Sequence, residues 1–93
     1  MIIGILNIEL FIPLSNSLKI KRRAIKSIKE RLRSRFNVSV AEIAHTDKWQ
    51  RSSLCVASVS NEKKHIESIF EKVIKNIYIN HHVEVINTSI TFL

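Results

Sequence analysis

The hydrophobic pattern of the chain predicts an α+β fold in which two helices cover one face of a four-stranded antiparallel sheet. Three observations predict it. Residues 17–36 and 62–78 carry apolar side chains at the i, i+3, i+4, i+7 spacing of a helix stripe. Four other segments alternate, or run continuously apolar, with many β-branched residues, as strands do. Their order is β-α-β-β-α-β with short links, and short right-handed connections leave few ways to assemble that order.

The first strand spans residues 2–12. Ile2, Leu6, Ile8, Leu10 and Ile12 share one wholly apolar face, and Ile3, Ile5, Asn7, Glu9 and Phe11 share a mixed one. Pro13 ends it, because proline cannot donate to a ladder. Ser15, Asn16 and Ser17 offer N-cap oxygens to the first helix, whose stripe is Leu18, Ile25, Ile28, Leu32 and Phe36. Asn37 suits a left-handed C-cap. Residues 38–44 read as a second strand, and the polar residues 46–51 as a hairpin connection. Residues 54–59 are apolar on both sides, as a central strand should be. Ser60 and Asn61 can cap the second helix, with Ile66, Ile69, Phe70, Val73, Ile74 and Ile77 on its stripe. Residues 80–82 form a turn. In the last strand, residues 83–92, Glu84, Ile86, Thr88, Ile90 and Phe92 lie opposite Val85, Asn87, Ser89 and Thr91. With the first and third strands central, the order gives a ferredoxin-like sandwich, one domain over residues 1–93.

Composition bounds the partners. A chain with 45% hydrophobic and 25% charged residues can bury a core and is no disordered tail. Cys55 is the only cysteine, so no intramolecular disulfide can form, which suits a reducing cytosol. No basic region precedes the first apolar run, and Asn7 and Glu9 interrupt it. Neither a signal peptide nor a membrane span fits, and the expected location is cytoplasmic.

The net charge of +7 is not spread evenly. Residues 17–36 hold nine of the fifteen basic residues and one acid, Glu30, so the first helix carries the whole surplus. Lys19, Arg22, Arg23, Lys26, Lys29 and Arg33 fall on a face beside the apolar stripe, and Lys21 falls at the stripe's edge, where its stem can snorkel. Such a patch suits a polyanion: nucleic acid, an anionic membrane surface or an acidic protein. A plainer reading is a solvated face. The helix dipole separates the two. Basic residues near the C-terminus favour the dipole, whereas Lys19, Lys21, Arg22 and Arg23 oppose it by about 0.3–1 kcal/mol each when exposed. Stability alone does not place them there, and a helix N-terminus flanked by cations suits phosphate.

Other residues narrow the reading. Gly4 is the only glycine and sits in a strand, so no P-loop, dinucleotide fingerprint or glycine-rich acylphosphatase-type loop can form. The third strand lacks the glycine and aromatic signature of RNA-recognition sheets. Trp49, the only tryptophan, stands between Lys48 and Arg51; it can cover the sheet edge, stack on a base or anchor a protein contact. An outer sheet face presenting Ile3, Ile5, Phe11 and Val85 suits a homodimer. His45, His65, His81, His82 and Cys55 have no metal-ligand spacing, and Cys55 is expected to be buried. Glu9 and Glu42 could face each other across the sheet, with no nucleophile nearby to make them catalytic.

Three stretches in this order, Ser17-Leu-Lys-Ile-Lys-Arg-Arg23, Arg35-Phe-Asn-Val-Ser-Val-Ala-Glu42 and Trp49-Gln-Arg51, resemble the YlxP-like family of small bacterial proteins. The resemblance spans essentially the whole chain. It implies a ferredoxin-like fold and a bacterial, cytoplasmic setting. Family members are often encoded beside translation initiation and ribosome-maturation factors, which implies an RNA or ribosome partner. The family has no established function or catalytic residues, so none carry over; Lys19, Lys21 and Arg22 match its first-helix pattern. The expectation is a binding module without catalytic residues, cofactor or metal. It docks RNA through Lys19, Lys21, Arg22, Arg23, Lys26, Lys29 and Arg33, with Trp49 and Arg51 as a secondary contact. Its rivals are a protein-interaction module using the outer sheet and Trp49, and an enzyme for phosphorylated metabolites.

Overall fold

The computed structural model describes residues 1–79 and 82–93. Six elements follow in order: β1 (Ile2–Phe11), α1 (Leu18–Arg35), β2 (Ser39–Ala44), β3 (Arg51–Ser60), α2 (Lys63–Tyr78) and β4 (Glu84–Phe92). The strands form one antiparallel sheet in the order β2-β3-β1-β4, the ferredoxin-like arrangement that the sequence implies. Asn80 and His81, assigned above to a turn, lie outside the described residues. Among the described residues, no helix is long and apolar enough to cross a membrane.

The core lies between the sheet and the two helices. Leu6, Ile8 and Leu10 of β1 and Leu54 and Val56 of β3 meet Ile25, Ile28 and Leu32 of α1 and Ile66, Phe70, Val73 and Ile77 of α2. Register sets this face: Leu6 pairs with Val56, and Ile8 with Leu54. Each large apolar side chain buried here contributes about 1.5–3 kcal/mol. Tertiary packing therefore holds α1, a helix with like charges crowded along one side.

Helix ends follow local chemistry. Ser17 caps α1, its Oγ accepting from the Ile20 N–H at 3.1 Å. The other end differs from expectation. Phe36, extended at φ −131°, is the C-cap and gives its N–H to the Leu32 carbonyl at 2.9 Å. Asn37 is not left-handed; among the described residues only His45, at φ 61°, has a positive φ. Phe36 packs against the core, and that anchorage turns the chain in place of a left-handed cap.

Two register shifts correct the face assignments. Along β4, Glu9 pairs with Asn87 but Leu10 pairs with Val85, so Ile86 is an extra residue. Val85 therefore turns to the core and packs against it, and is not on the outer face. Along β2, Glu42 pairs with Leu54 and Ala44 with Ser53, which makes Ile43 the extra residue. Glu42 thus shares the helix-covered face with Leu54, whereas Glu9, paired with Ser53, lies on the outer face. The proposed facing of Glu9 and Glu42 does not occur. β3 also begins at Arg51, earlier than the apolar pattern shows, because Ile12 N–H and Gln50 C=O bond across at 2.8 Å and extend the ladder's end.

Candidate functional site

Lys21 is the first departure from the sequence reading. It is fully buried, not available to a phosphate. Its Nζ lies 2.6 Å from Glu42 Oε2 and donates to the His45 carbonyl at 2.7 Å. Ser52 Oγ donates to the same Glu42 oxygen at 2.7 Å. The ammonium joins the second turn of α1 to the end of β2 and to His45. A left-handed backbone costs a non-glycine residue about 1–2 kcal/mol, and the lysine bond helps to hold it. Composition hints at this pairing only faintly: Glu42 is the one acid in the otherwise apolar or small residues of β2.

The other cations assigned to the patch are not sealed inside. Lys19, Arg22, Arg23, Lys26 and Arg33 are exposed and Lys29 is half-buried. Among the described residues their only carboxylate contact within 4.0 Å is Lys26 with Glu30, at 4.0 Å. Both partners are mostly solvated, so that pair is worth a fraction of a kcal/mol. No acid occupies the first turn of α1. The charge that opposes the dipole is therefore not neutralised by the chain itself, Lys21 excepted. The first-turn amide of Ile20 is taken by Ser17, which moves the anion-attracting feature from the helix tip to its flank.

On that flank a cleft of about 340 Å³ runs between α1 and β2. Arg22, Lys26, Lys29 and Arg33 line it together with Glu30, over a floor that includes Ile25 and Glu42. These four cations are spaced i, i+4, i+7 and i+11, a single row along the helix. Arg33 Nη2 also donates to the Val40 carbonyl at 2.6 Å, which ties the helix to the free edge of β2.

The loop between β2 and β3 closes the N-terminal end of α1. Gln50 Nε2 donates to the Pro13 carbonyl at 3.1 Å, and Lys48 N–H to that of His45 at 3.1 Å. Trp49 keeps 54% of its surface exposed, so it is not a lid on the sheet edge. Arg51 belongs to β3 and lies 3.8 Å from Glu9 on the outer face, so its charge is shared with a carboxylate. Trp49 and the start of the basic row thus lie at one end of the molecule, while Arg51 turns toward the bare sheet.

The outer face carries a second cluster. Glu9 accepts from Ser53 Oγ at 2.6 Å and lies 3.8 Å from His45 Nε2. Cys55 is half-buried there, opposite Asn7, and is not a core residue as expected. Ile3 pairs with Val59 and Ile5 with Ala57, which makes one end of this face apolar; Val59 is 56% exposed. Among the described residues no three His, Cys, Asp or Glu side chains gather in a way that could hold a metal ion.

Residues 3–90 match a family described as "Protein of unknown function (DUF503)". The chain is also similar to a Bacillus subtilis (strain 168) protein named "Uncharacterized protein YlxP", at 39% identity over 72 residues, 77% of this chain and 78% of the relative.

Proposed function

From the premise that this chain belongs to the DUF503 family, we propose that it is a cytoplasmic binding module, not an enzyme, that docks RNA, ribosomal RNA included, through the exposed flank of α1. One observation carries this: the helix holds a row of cations that the chain does not neutralise, with several set against its own dipole. Lys19, Arg22, Arg23, Lys26, Lys29 and Arg33 meet phosphates, and Trp49 adds a contact at the loop end. Such contacts position a protein without reading sequence. Lys21 takes no part in contact; it holds the loop to the helix.

Binding of a mixed-sequence RNA should weaken steeply with salt, by about 0.7 log units per log unit of salt for each phosphate met on single strands. The variant Lys19→Glu/Arg22→Glu/Lys26→Glu should flatten that slope by about two units. A slope and affinity unchanged in that variant would reject the docking surface.

The outer face favours a second, compatible reading: a homodimer. Bulges at Ile43 and Ile86 blunt both sheet edges, which disfavours edge-to-edge pairing and leaves the apolar patch of Ile3, Ile5 and Val59 as the self-complementary surface. Light scattering at micromolar concentration should give twice 10.8 kDa, and Val59→Glu should return the mass to 10.8 kDa. A monomer in the unmodified protein refutes this reading and leaves the RNA one standing.

A further inference from the structure

The cleft between α1 and β2 has a direction as well as a charge. Arg22 and Arg33 are eleven residues apart, so the row of cations is about 16 Å long at the helical rise. β2 returns antiparallel to α1: Val40 meets Arg33 at one end, and Glu42 and His45 meet Lys21 at the other. A polymer that enters beside Arg33 and follows the row therefore emerges at the loop that carries Trp49. Neither carboxylate of the cleft spoils the track: Lys21 and Ser52 already hold Glu42, and the exposed Glu30 stands 4.0 Å from Lys26 among four cations. β2 itself is closed to an added peptide strand: Arg33 occupies the Val40 carbonyl, and the bulge at Ile43 breaks the edge.

Resting on the RNA-docking reading, we infer that the α1–β2 cleft is a track for one unpaired RNA strand, whose bases reach Trp49 as a stacking platform. A groove of cations that follows one backbone and ends at an exposed aromatic ring is the physical form of single-strand binding. The row of cations follows one phosphodiester backbone, and bases already paired in a duplex are not free to stack on the exposed Trp49. Stacking on a tryptophan face is open to any base, so the site is tolerant of sequence.

Trp49 is the only tryptophan, so its emission reports on the platform alone. The test titrates the full chain with a 12-nucleotide oligouridine and with a 12-base-pair RNA duplex, reading anisotropy of the labelled RNA and Trp49 emission together. The single strand should bind about tenfold more tightly, in line with one stacked base, and should quench Trp49. Lys26→Ala/Lys29→Ala, within the cleft, should flatten the salt slope by about 1.4 units. Lys72→Ala/Lys75→Ala, exposed on α2 and outside the cleft, should leave the slope unchanged. Trp49→Ala should abolish the preference for the single strand and keep the salt slope. Equal binding of duplex and single strand with Trp49 emission unmoved would overturn the single-strand track and leave RNA docking intact. Equal flattening by the two alanine pairs would overturn the cleft as its location. Failure of the unmodified chain to bind either RNA at low salt would overturn both.

Discussion

Replacing Lys21 by methionine should destabilise the fold by about 3–5 kcal/mol, the cost of removing one partner from a buried ion pair. Methionine matches the length of the lysine stem and keeps the helix, so the loss isolates the ammonium. What remains is Glu42, a charge on the covered face with only Ser52 Oγ to donate to it, and a His45 carbonyl left with the Lys48 N–H alone. Glu42 retains 15% exposure, which places the effect toward the lower end of that range. Lys21→Met/Glu42→Met removes both charges together and should recover most of the loss, because a well-packed apolar pair offsets the desolvation that the ion pair suffers. Urea midpoints at constant slope measure both variants. A single variant within about 1 kcal/mol of the parent would mean that the ammonium reaches water after all. The double variant also tests Lys21 as a purely internal cation: its RNA affinity and salt slope should match those of the parent, since no phosphate contact has gone.

That pair shows where reading the sequence stops. The stripe Ile25, Ile28 and Leu32 and the cap Ser17 follow from spacing and local chemistry, so they were legible, and so was the strand order. The position of Lys21 at the stripe's edge was legible too, as a side chain half in and half out. Its actual partner was not, because Glu42 comes to the helix side only through the register of β2 on β3, a non-local property. The extra residues Ile43 and Ile86 bear no glycine or other local mark, yet each breaks the alternation of faces between the residues before it and those after it. Val85 was misplaced for that reason. The cation row was legible as a face of α1, whereas the cleft needed β2 as its second wall. Trp49 could be located but its exposure could not, since loop packing depends on bonds such as Gln50 to Pro13. The family membership rests on similarity across residues 3–90 and says nothing of these details.

Gly4 carries the second large effect, and here even the sign is informative. It lies on the covered face of β1, paired with Ser58 and Phe92. A Cβ added there would stand 2.5 Å from Ile66 Cγ2 and 3.1 Å from Phe70 Cε2. Neither atom can yield cheaply: Ile66 and Phe70 are fully buried, and a β-branched side chain has little rotameric freedom. Strand propensity pulls the other way, since alanine in place of glycine in an open strand gains about 0.5–1 kcal/mol. If α2 could drift outward, Gly4→Ala would be neutral or stabilising. With the helix held down by Ile66, Phe70, Val73 and Ile77, the substitution should instead cost about 1–3 kcal/mol through overpacking. For a chain of this size each kcal/mol lowers Tm by about 4–8 °C, so a thermal melt resolves the effect. Ile66→Ala removes the obstructing methyl and by itself opens a cavity at a cost of about 2–5 kcal/mol. In the double variant the new Cβ should occupy part of that cavity, leaving the pair less destabilised than the sum of the singles by at least about 0.5 kcal/mol. Strict additivity would show that the two residues do not meet, and that glycine is tolerated at this position rather than demanded by the approach of α2.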